Sequence, residues 1–150
     1  MELNEKLNID DMEKTAENFH KSLKFALRVE NKDARVLEYD PEDYEFEYSY
    51  SRSAMIQIFE ITVECAWKIM QRWVKINNDK FIIEKPKREL FRIARECGLI
   101  DDSAKWWTFY EARNTTSHAY NEEKAEEVYK LAKEFDRYLS QFMMRLEERA

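Results

Sequence analysis

The sequence predicts an all-α protein, a bundle of four long helices with one additional short helix. Its 150 residues include one Gly and two Pro, whereas a β-rich fold of this length needs turn residues at short intervals. Apolar residues also recur at three- and four-residue spacing over several long segments. With 37% charged and 44% hydrophobic residues, the composition is that of an amphipathic bundle and not of a disordered chain.

Two long helices are predicted in the first half of the chain. Helical spacing of apolar residues places the first at about residues 10–29. The second is predicted at about residues 52–76, with Ser51 or Ser53 as its N-cap. It is apolar almost all round, which is typical of a helix that is central or shared with another subunit.

An acidic segment rich in aromatic residues separates these helices, over about residues 31–50. Tyr44 to Tyr48 alternate aromatic and acidic side chains with period two, which is compatible with a short extended piece. No partner strand is evident, so a mobile acidic loop, centred on residues 38–47 and broken at Pro41, is the prediction.

Three more helices are predicted in the second half. A short helix over residues 86–97 has Pro in its first turn and Gly98 as its stop. A third long helix begins at a cap formed by Asp101 or Ser103, and the last helix is capped by Asn121. The last helix carries a bundle seam with alternating spacing of three and four. The seam comprises Ala125, Val128, Ala132, Phe135, Leu139, Phe142 and Leu146.

Composition also limits the classes of function. The net charge of −6 disfavours a protein that coats nucleic acid through a broad positive field, but it leaves room for a local RNA-processing site. The start of the chain lacks the pattern of a signal peptide, and no apolar run is long enough for a membrane helix. Cys65 and Cys97 are expected to be reduced and buried. We therefore expect a single cytoplasmic domain over residues 1–150, with no metal, cofactor or membrane segment.

The only concentration of basic residues lies on and before the short helix. Arg88, Arg92 and Arg95 share one face of that helix, and Lys85 and Lys87 come just before or at its start. One interpretation is a patch that contacts RNA or nucleotide phosphates. The alternative, an ordinary solvated face, is favoured if the stripe is considered alone.

A pair of carboxylates on the second helix also has two interpretations. Glu60 and Glu64 lie one turn apart, as metal-binding carboxylates sometimes do, but no Glu-x-x-His accompanies them. Lys68 can form an ion pair with Glu64 four residues earlier. A solvated stripe without metal is the prediction, and His20, on the polar side of the first helix, is expected to have no chemical role.

The polar turn between the last two helices contains the residues best suited to chemistry. Arg113 can stabilise a phosphate charge, and His118 can move a proton near neutral pH. Asn114 and Ser117 supply hydrogen-bonding groups around the same point. The pair would suit RNA cleavage without a metal, by attack of a 2′-hydroxyl on its own phosphate. The Arg-x4-His spacing alone is a weak indication of catalysis. Without further evidence it predicts a helix-capping turn, in which Tyr120 is part of a hydrophobic staple.

Such a reaction requires both a base and an acid, but each chain supplies only one suitable histidine, His118. A two-fold dimer would bring two copies together.

Three blocks of sequence carry a resemblance to a known family. Residues 51–68, 97–102 and 111–120 resemble, in order and spacing, the nucleotidyltransferase substrate-binding branch of the HEPN superfamily. The resemblance covers about residues 50–150. Members usually carry Asp at the position of Ser53 and Arg at that of Ile58, so this chain departs from them there.

The resemblance implies an up-and-down four-helix bundle that forms a homodimer and is encoded beside a minimal nucleotidyltransferase. It implies that Arg113 and His118 match the Arg-x4-6-His ribonuclease motif of HEPN proteins. Tyr120 matches the tyrosine of the longer form found in HEPN toxins, whose partner antitoxin silences them by transferring AMP to that tyrosine. Arg88, Arg92 and Arg95 would then contact RNA.

Two further functions remain open. The older description of the family favours a non-catalytic subunit that presents a substrate, or itself, to a nucleotidyltransferase; the acidic surface and the changes at Ser53 and Ile58 are consistent with it. A purely structural dimer is the third possibility.

Overall fold

The computed structural model describes residues 7–32, 40–77, 87–113 and 121–149. These segments contain helices and no strand, which confirms the predicted all-α class. The five helices are α1 (Asp10–Glu30), α2 (Pro41–Asn77), α3 (Lys87–Glu96), α4 (Ser103–Arg113) and α5 (Glu122–Arg149).

Four of these helices form an up-and-down bundle, and α3 is the additional short helix. The start of α2 lies at the end of α1, where the Tyr44 hydroxyl donates to the Glu30 carbonyl at 3.0 Å. α4 and α5 also run in opposite directions. Asp101, just before α4, binds Arg145 near the end of α5, and Phe109, further along α4, packs on Tyr138, which lies earlier in α5.

Helix α2 is the centre of the bundle, because it contacts each of the other four helices. This confirms the prediction from its apolar circumference. The core beside it is aromatic: the Phe135 ring packs edge-on against Phe59, Phe109 and Trp106, with ring centroids 5.0 to 5.4 Å apart. The predicted seam of α5 is buried at every position.

The prediction of a loop over residues 31–50 is wrong for its second half, because α2 begins at Pro41. Ser51 and Ser53 are therefore interior to α2 and do not cap it. Pro41 occupies the first helical position, where a missing N–H costs nothing. Asp40 Oδ1 accepts a hydrogen bond from the Glu42 backbone N–H at 2.9 Å. Residues 33–39 lie outside the described residues.

Helix α3 ends as its sequence predicts. Gly98 has φ of 81°, and its N–H donates to the Arg95 carbonyl while the Leu99 N–H donates to the Ala94 carbonyl. These two bonds form a Schellman motif, which needs a left-handed residue and so favours glycine. The predicted place of Pro86 in the first turn lies outside the described residues.

The boundaries of α4 differ from the prediction. Neither Asp101 nor Ser103 caps it: Asp102 Oδ1 accepts from the Lys105 N–H at 2.9 Å, because Asp101 is engaged by α5. α4 has 11 residues in the described chain. The cap of α5 is confirmed, since Asn121 Oδ1 accepts from the Lys124 N–H at 3.1 Å. No described helix combines the length and the apolar character needed to cross a membrane.

Candidate functional site

Arg113, the last residue of α4, is held by two side chains. Its Nη1 lies 2.6 Å from Glu64 Oε2 on α2, and its Nη2 donates to the Tyr110 hydroxyl at 2.8 Å. The guanidinium also lies over the Tyr110 ring, 4.6 Å from its centroid. Its Nε is buried and has no hydrogen-bond partner among the described residues. The cation is thus oriented, with its charge partly balanced by one carboxylate.

Tyr110 belongs to a cluster of aromatic rings and cations. Its ring stacks on Trp107 at 5.7 Å and lies 6.1 Å from Trp67 on α2. Lys87, the first residue of α3, places Nζ 4.9 Å from the Trp67 ring and 5.2 Å from the Tyr110 ring. We call Trp67, Trp107, Tyr110 and Lys87 the aromatic cluster; it connects the start of α3 with Arg113.

The basic face of α3 is solvent-exposed at Arg88, Arg92 and Arg95. Arg88 lies over the Trp107 ring at 5.8 Å, so this end of the stripe borders the aromatic cluster. Arg92 forms an ion pair with Glu89, 3.5 Å away. Arg88 therefore contacts Trp107, Trp107 stacks on Tyr110, and Tyr110 accepts a hydrogen bond from Arg113.

A second polar network surrounds Arg52 on α2. Its side chain is 8% exposed and its Nη1 donates to Glu126 Oε1 at 3.0 Å. The Tyr48 hydroxyl donates to the same oxygen at 2.5 Å. Glu122, in the first turn of α5, is 3.9 Å from Arg52. This network fixes the start of α5 against α2, and Tyr129 connects α5 to α1 by donating to a Glu30 carboxylate oxygen.

The protonation of this network follows from burial and its hydrogen bonds. Burial raises the pKa of the Glu126 carboxyl, but the hydrogen bonds from Tyr48 and Arg52 outweigh it and leave the pKa below its usual value. Burial, together with the hydrogen bond to Glu126, raises the pKa of Tyr48 well above that of a free tyrosine. Burial, with the charge of Glu30, does the same for the pKa of Tyr129. All three groups therefore keep their ordinary protonation at neutral pH.

Four of the predicted site residues lie outside the described residues: Asn114, Ser117, His118 and Tyr120. Both ends of the segment that contains them are described, and both lie near α2.

The preceding residue, Arg113, is bound to Glu64, and Glu122, shortly after the segment, lies near Arg52. Glu64 and Arg52 are about 18 Å apart along α2. The chain from Arg113 to Glu122 thus connects two points of α2.

Glu60 and Glu64 are the carboxylates predicted to lie on a solvated stripe of α2. Glu64 pairs with Lys68 at 3.6 Å as predicted, but it also binds Arg113, so it is more than a solvated residue. Among the described residues no three His, Cys, Asp or Glu side chains are grouped as a metal site. His20 pairs with Asp136 on α5, 2.8 Å away.

Four other positions singled out in the sequence are described. Ser53 is exposed, and Ile58 is partly buried against the core. Neither Cys65 nor Cys97 is in a disulfide, as expected, but both are half-buried and not fully buried.

Comparison with known proteins decides the family. The family described as "Nucleotidyltransferase substrate binding protein like" matches residues 14–148, which is most of the chain. The chain belongs to this family. Residues 113–120, in which the sequence predicts a ribonuclease motif, fall within the match.

Two solved structures share the fold of this family member. One, from Haemophilus influenzae and described as the fold of a substrate-binding domain of a nucleotidyltransferase, has a TM-score of 0.78 and 25% identity; the match covers 93% of this chain and 99% of that one. Another, from Thermus thermophilus, has a TM-score of 0.64 and 24% identity over 90% of this chain and 98% of that one. The second comparison shows the fold alone.

One curated relative carries a name that bears on activity. It is "Probable ribonuclease HepT" from Haemophilus influenzae, 40% identical over 77 residues. The aligned region is 49% of this chain and 52% of the relative, so the chain spans about half the length of that protein.

Sequence reasoning missed three residues of the site. Tyr110 looks like one aromatic residue among several on α4, and Arg52 like a polar residue at a helix start. For Glu64, the four-residue spacing to Lys68 predicts one partner and gives no sign of the second, Arg113. The available signal was the position of Glu64 on a largely apolar helix, where a half-buried carboxylate needs a cation.

Proposed function

We propose that this protein is a HEPN-type endoribonuclease of the toxin kind, which acts without a metal and is silenced when a minimal nucleotidyltransferase transfers AMP to Tyr120. The observation that carries the proposal is the oriented guanidinium of Arg113, held by Glu64 and Tyr110 at the start of the Arg-x4-His-x-Tyr sequence. The relative named as a probable ribonuclease supports it.

Arg113 is suited to bind and stabilise a phosphate. A guanidinium held in one orientation loses little freedom when it binds an anion, and its fork matches two phosphate oxygens. Glu64 holds the cation in the free protein, and an incoming phosphate competes with that carboxylate for Nη1. The exposed cations of α3, with Lys87 and Arg88 nearest to the aromatic cluster, provide further contacts to the RNA backbone. Arg92 and Arg95 extend this surface.

The reaction is a transesterification within the RNA strand. His118 removes the proton of a 2′-hydroxyl, the oxygen attacks the adjacent phosphorus, and a 2′,3′-cyclic phosphate forms as the 5′-oxygen of the next nucleotide leaves. His118 of the partner subunit donates a proton to that leaving oxygen. Arg113 stabilises the charge that develops on the phosphate, and Asn114 and Ser117 orient the reacting groups.

A homodimer is part of this proposal, because acid and base come from two copies of His118. The outer face of α2 beside Glu64 supports it: Ile61 is 53% exposed, next to half-buried Ile58 and Cys65. Contact between two copies through this face would place their Arg113 sites near one two-fold axis.

The nucleotidyltransferase partner would inhibit the nuclease through the charge and the size of the AMP group on Tyr120. AMP on Tyr120, two residues after His118, adds a negative phosphodiester where RNA phosphates must bind, so it repels the substrate as well as blocking it. The partner is a minimal nucleotidyltransferase encoded nearby.

The experiment measures RNA cleavage by the purified protein in the presence of a chelator. We expect His118→Ala to lower the rate at least about 100-fold, the scale of lost general acid–base catalysis. Tyr120→Phe should cleave RNA but escape silencing: after coexpression with the neighbouring nucleotidyltransferase, intact-mass analysis should show AMP on the wild type alone. Unchanged cleavage by His118→Ala would refute the nuclease.

The second candidate function is a non-catalytic subunit that presents a substrate to the nucleotidyltransferase. The description of the similar Haemophilus influenzae structure as a substrate-binding domain favours it, as do the departures from the family at Ser53 and Ile58. A stable complex that transfers nucleotide to a third molecule, with no RNA cleavage by either protein, would establish this function instead.

A further inference from the structure

One face of α2 carries exposed apolar side chains near its start, at its middle and at its end. Phe46 and Tyr50 are 66% and 69% exposed, and their rings contact each other at 5.1 Å. Ile61 and Ile76 continue the same face further along. On a helical projection these positions lie within about 60° of one line. We call this face the α2 stripe. It comprises Asp43, Phe46, Glu47, Tyr50, Ala54, Gln57, Ile58, Ile61, Glu64, Cys65, Lys68, Arg72, Lys75 and Ile76.

The charge along α2 changes sign from one end to the other. From Pro41 to Tyr50 every charged residue is acidic, and from Lys68 to Asn77 every charged residue is basic. Asp43 lies on the α2 stripe at the acidic end, and Arg72 at the basic end. A helix of this kind complements a second copy of itself when the two run antiparallel, and repels it when they run parallel.

We propose that the α2 stripe binds the α2 stripe of a second copy, antiparallel and with Ile61 opposite Ile61. In this register Phe46 of one copy faces Ile76 of the other. Tyr50 faces Arg72, a pair suited to a cation–π contact. The acidic first turns of each α2 thus contact the basic end of its counterpart.

This inference rests on the proposed homodimer and deepens it by naming the interface and its register. It also gives a role to the exposed aromatic residues in the first ten residues of α2. The two-fold axis passes near Ile61, one helical turn from Glu64, the partner of Arg113. The same packing therefore brings the two Arg113 sites to either side of the axis.

Charge exchange tests the interface. An acid-to-base variant carries Asp43→Lys, because Glu47 is already paired with Lys32 of its own chain. A base-to-acid variant carries Lys75→Glu. Each alone places like charges across the interface, so its dimer Kd in sedimentation equilibrium should rise at least about tenfold. An equimolar mixture should return to the wild-type Kd, because both contacts are then complementary. Rescue by mixing also shows that both variants fold.

The matched control is Glu42→Lys, which makes the same charge change as Asp43→Lys in the same turn. Glu42 lies about 100° from the centre of the α2 stripe, so the dimer Kd should stay within about twofold of wild type. If the stripe variants dimerise as the wild type does, the α2 interface is refuted while a homodimer through another face stands. A wild type that is monomeric yet cleaves RNA would refute both the interface and the dimer requirement, but not the nuclease.

A cross-link tests the register even where a charge variant fails to fold. Phe46→Cys combined with Ile76→Cys should give a disulfide-linked dimer under mild oxidation. A bond within one chain is impossible, because the two positions are about 45 Å apart along α2 and a disulfide requires Cα atoms within about 7 Å. Each single substitution is the control. No excess of linked dimer in the double variant would overturn the proposed register.

Discussion

Replacing Glu126 by Gln perturbs the network that holds the start of α5. The carboxylate accepts hydrogen bonds from Arg52 and Tyr48 through one oxygen, and charge-assisted hydrogen bonds each contribute about 1.5–3 kcal/mol. The Gln carbonyl oxygen can still accept both bonds, but without the negative charge that strengthens them. The Glu126 side chain is 40% exposed, so water offsets part of the loss. Arg52 is 8% exposed and would be left with little compensation. We therefore expect Glu126→Gln to lower the free energy of unfolding by about 2 kcal/mol.

The assay is urea denaturation followed by circular dichroism at neutral pH, with Glu122→Gln as the matched control. Glu122 is 3.9 Å from the same guanidinium but 89% exposed, and such surface pairs contribute about 0–1 kcal/mol. In thermal denaturation followed by the same signal, the melting temperature of Glu126→Gln should be about 5 °C below that of the wild type. Equal stability of the two variants would show that Arg52 does not depend on Glu126 and refute the reasoning.

The difference between Glu126→Gln and the wild type should also depend on pH. The pKa of Glu126 is lower in the folded protein than in the unfolded chain. Its contribution is therefore complete above the unfolded value of about 4.3 and is lost as the pH falls through the folded value. The stability difference between the two proteins should shrink below about pH 4. A difference that grows on acidification would contradict the direction of the shift.

Three further predictions concern other parts of the molecule. Gly98→Ala should cost about 1–2 kcal/mol in urea denaturation, because φ is 81° and a Cβ would lie 3.1 Å from the Arg149 guanidinium; no loss would contradict this. Trp106→Ala should cost about 3–5 kcal/mol, since that side chain is 1% exposed, and a cost below about 1 kcal/mol would show that the core closes around the gap. Tyr110→Phe should slow the proposed RNA cleavage about tenfold through the lost bond to Arg113 while changing stability by less than about 1 kcal/mol; undiminished cleavage would show that this hydroxyl does not orient the cation.

Local sequence patterns determined most of the helical framework. The buried seam of α5 is readable from three- and four-residue spacing because burial on one side of a helix imposes that period. Gly98 marks the end of α3 because only the residues around it decide whether a left-handed backbone is needed. Asn121 caps α5 for the same local reason. The position of Arg113 at the end of α4 follows from the same patterns.

The tertiary structure decided the features that depend on contacts between residues far apart in the chain. Residues 41–50 look like a loop by local pattern, yet they are helical because Tyr44 and Tyr48 bond to α1 and α5. The pairing of Glu64 with Arg113 joins residues on different helices, so no spacing rule along one helix could reveal it. Periodicity reports which side of a helix is buried, but the partner of a half-buried charge is chosen by the packing of the whole bundle.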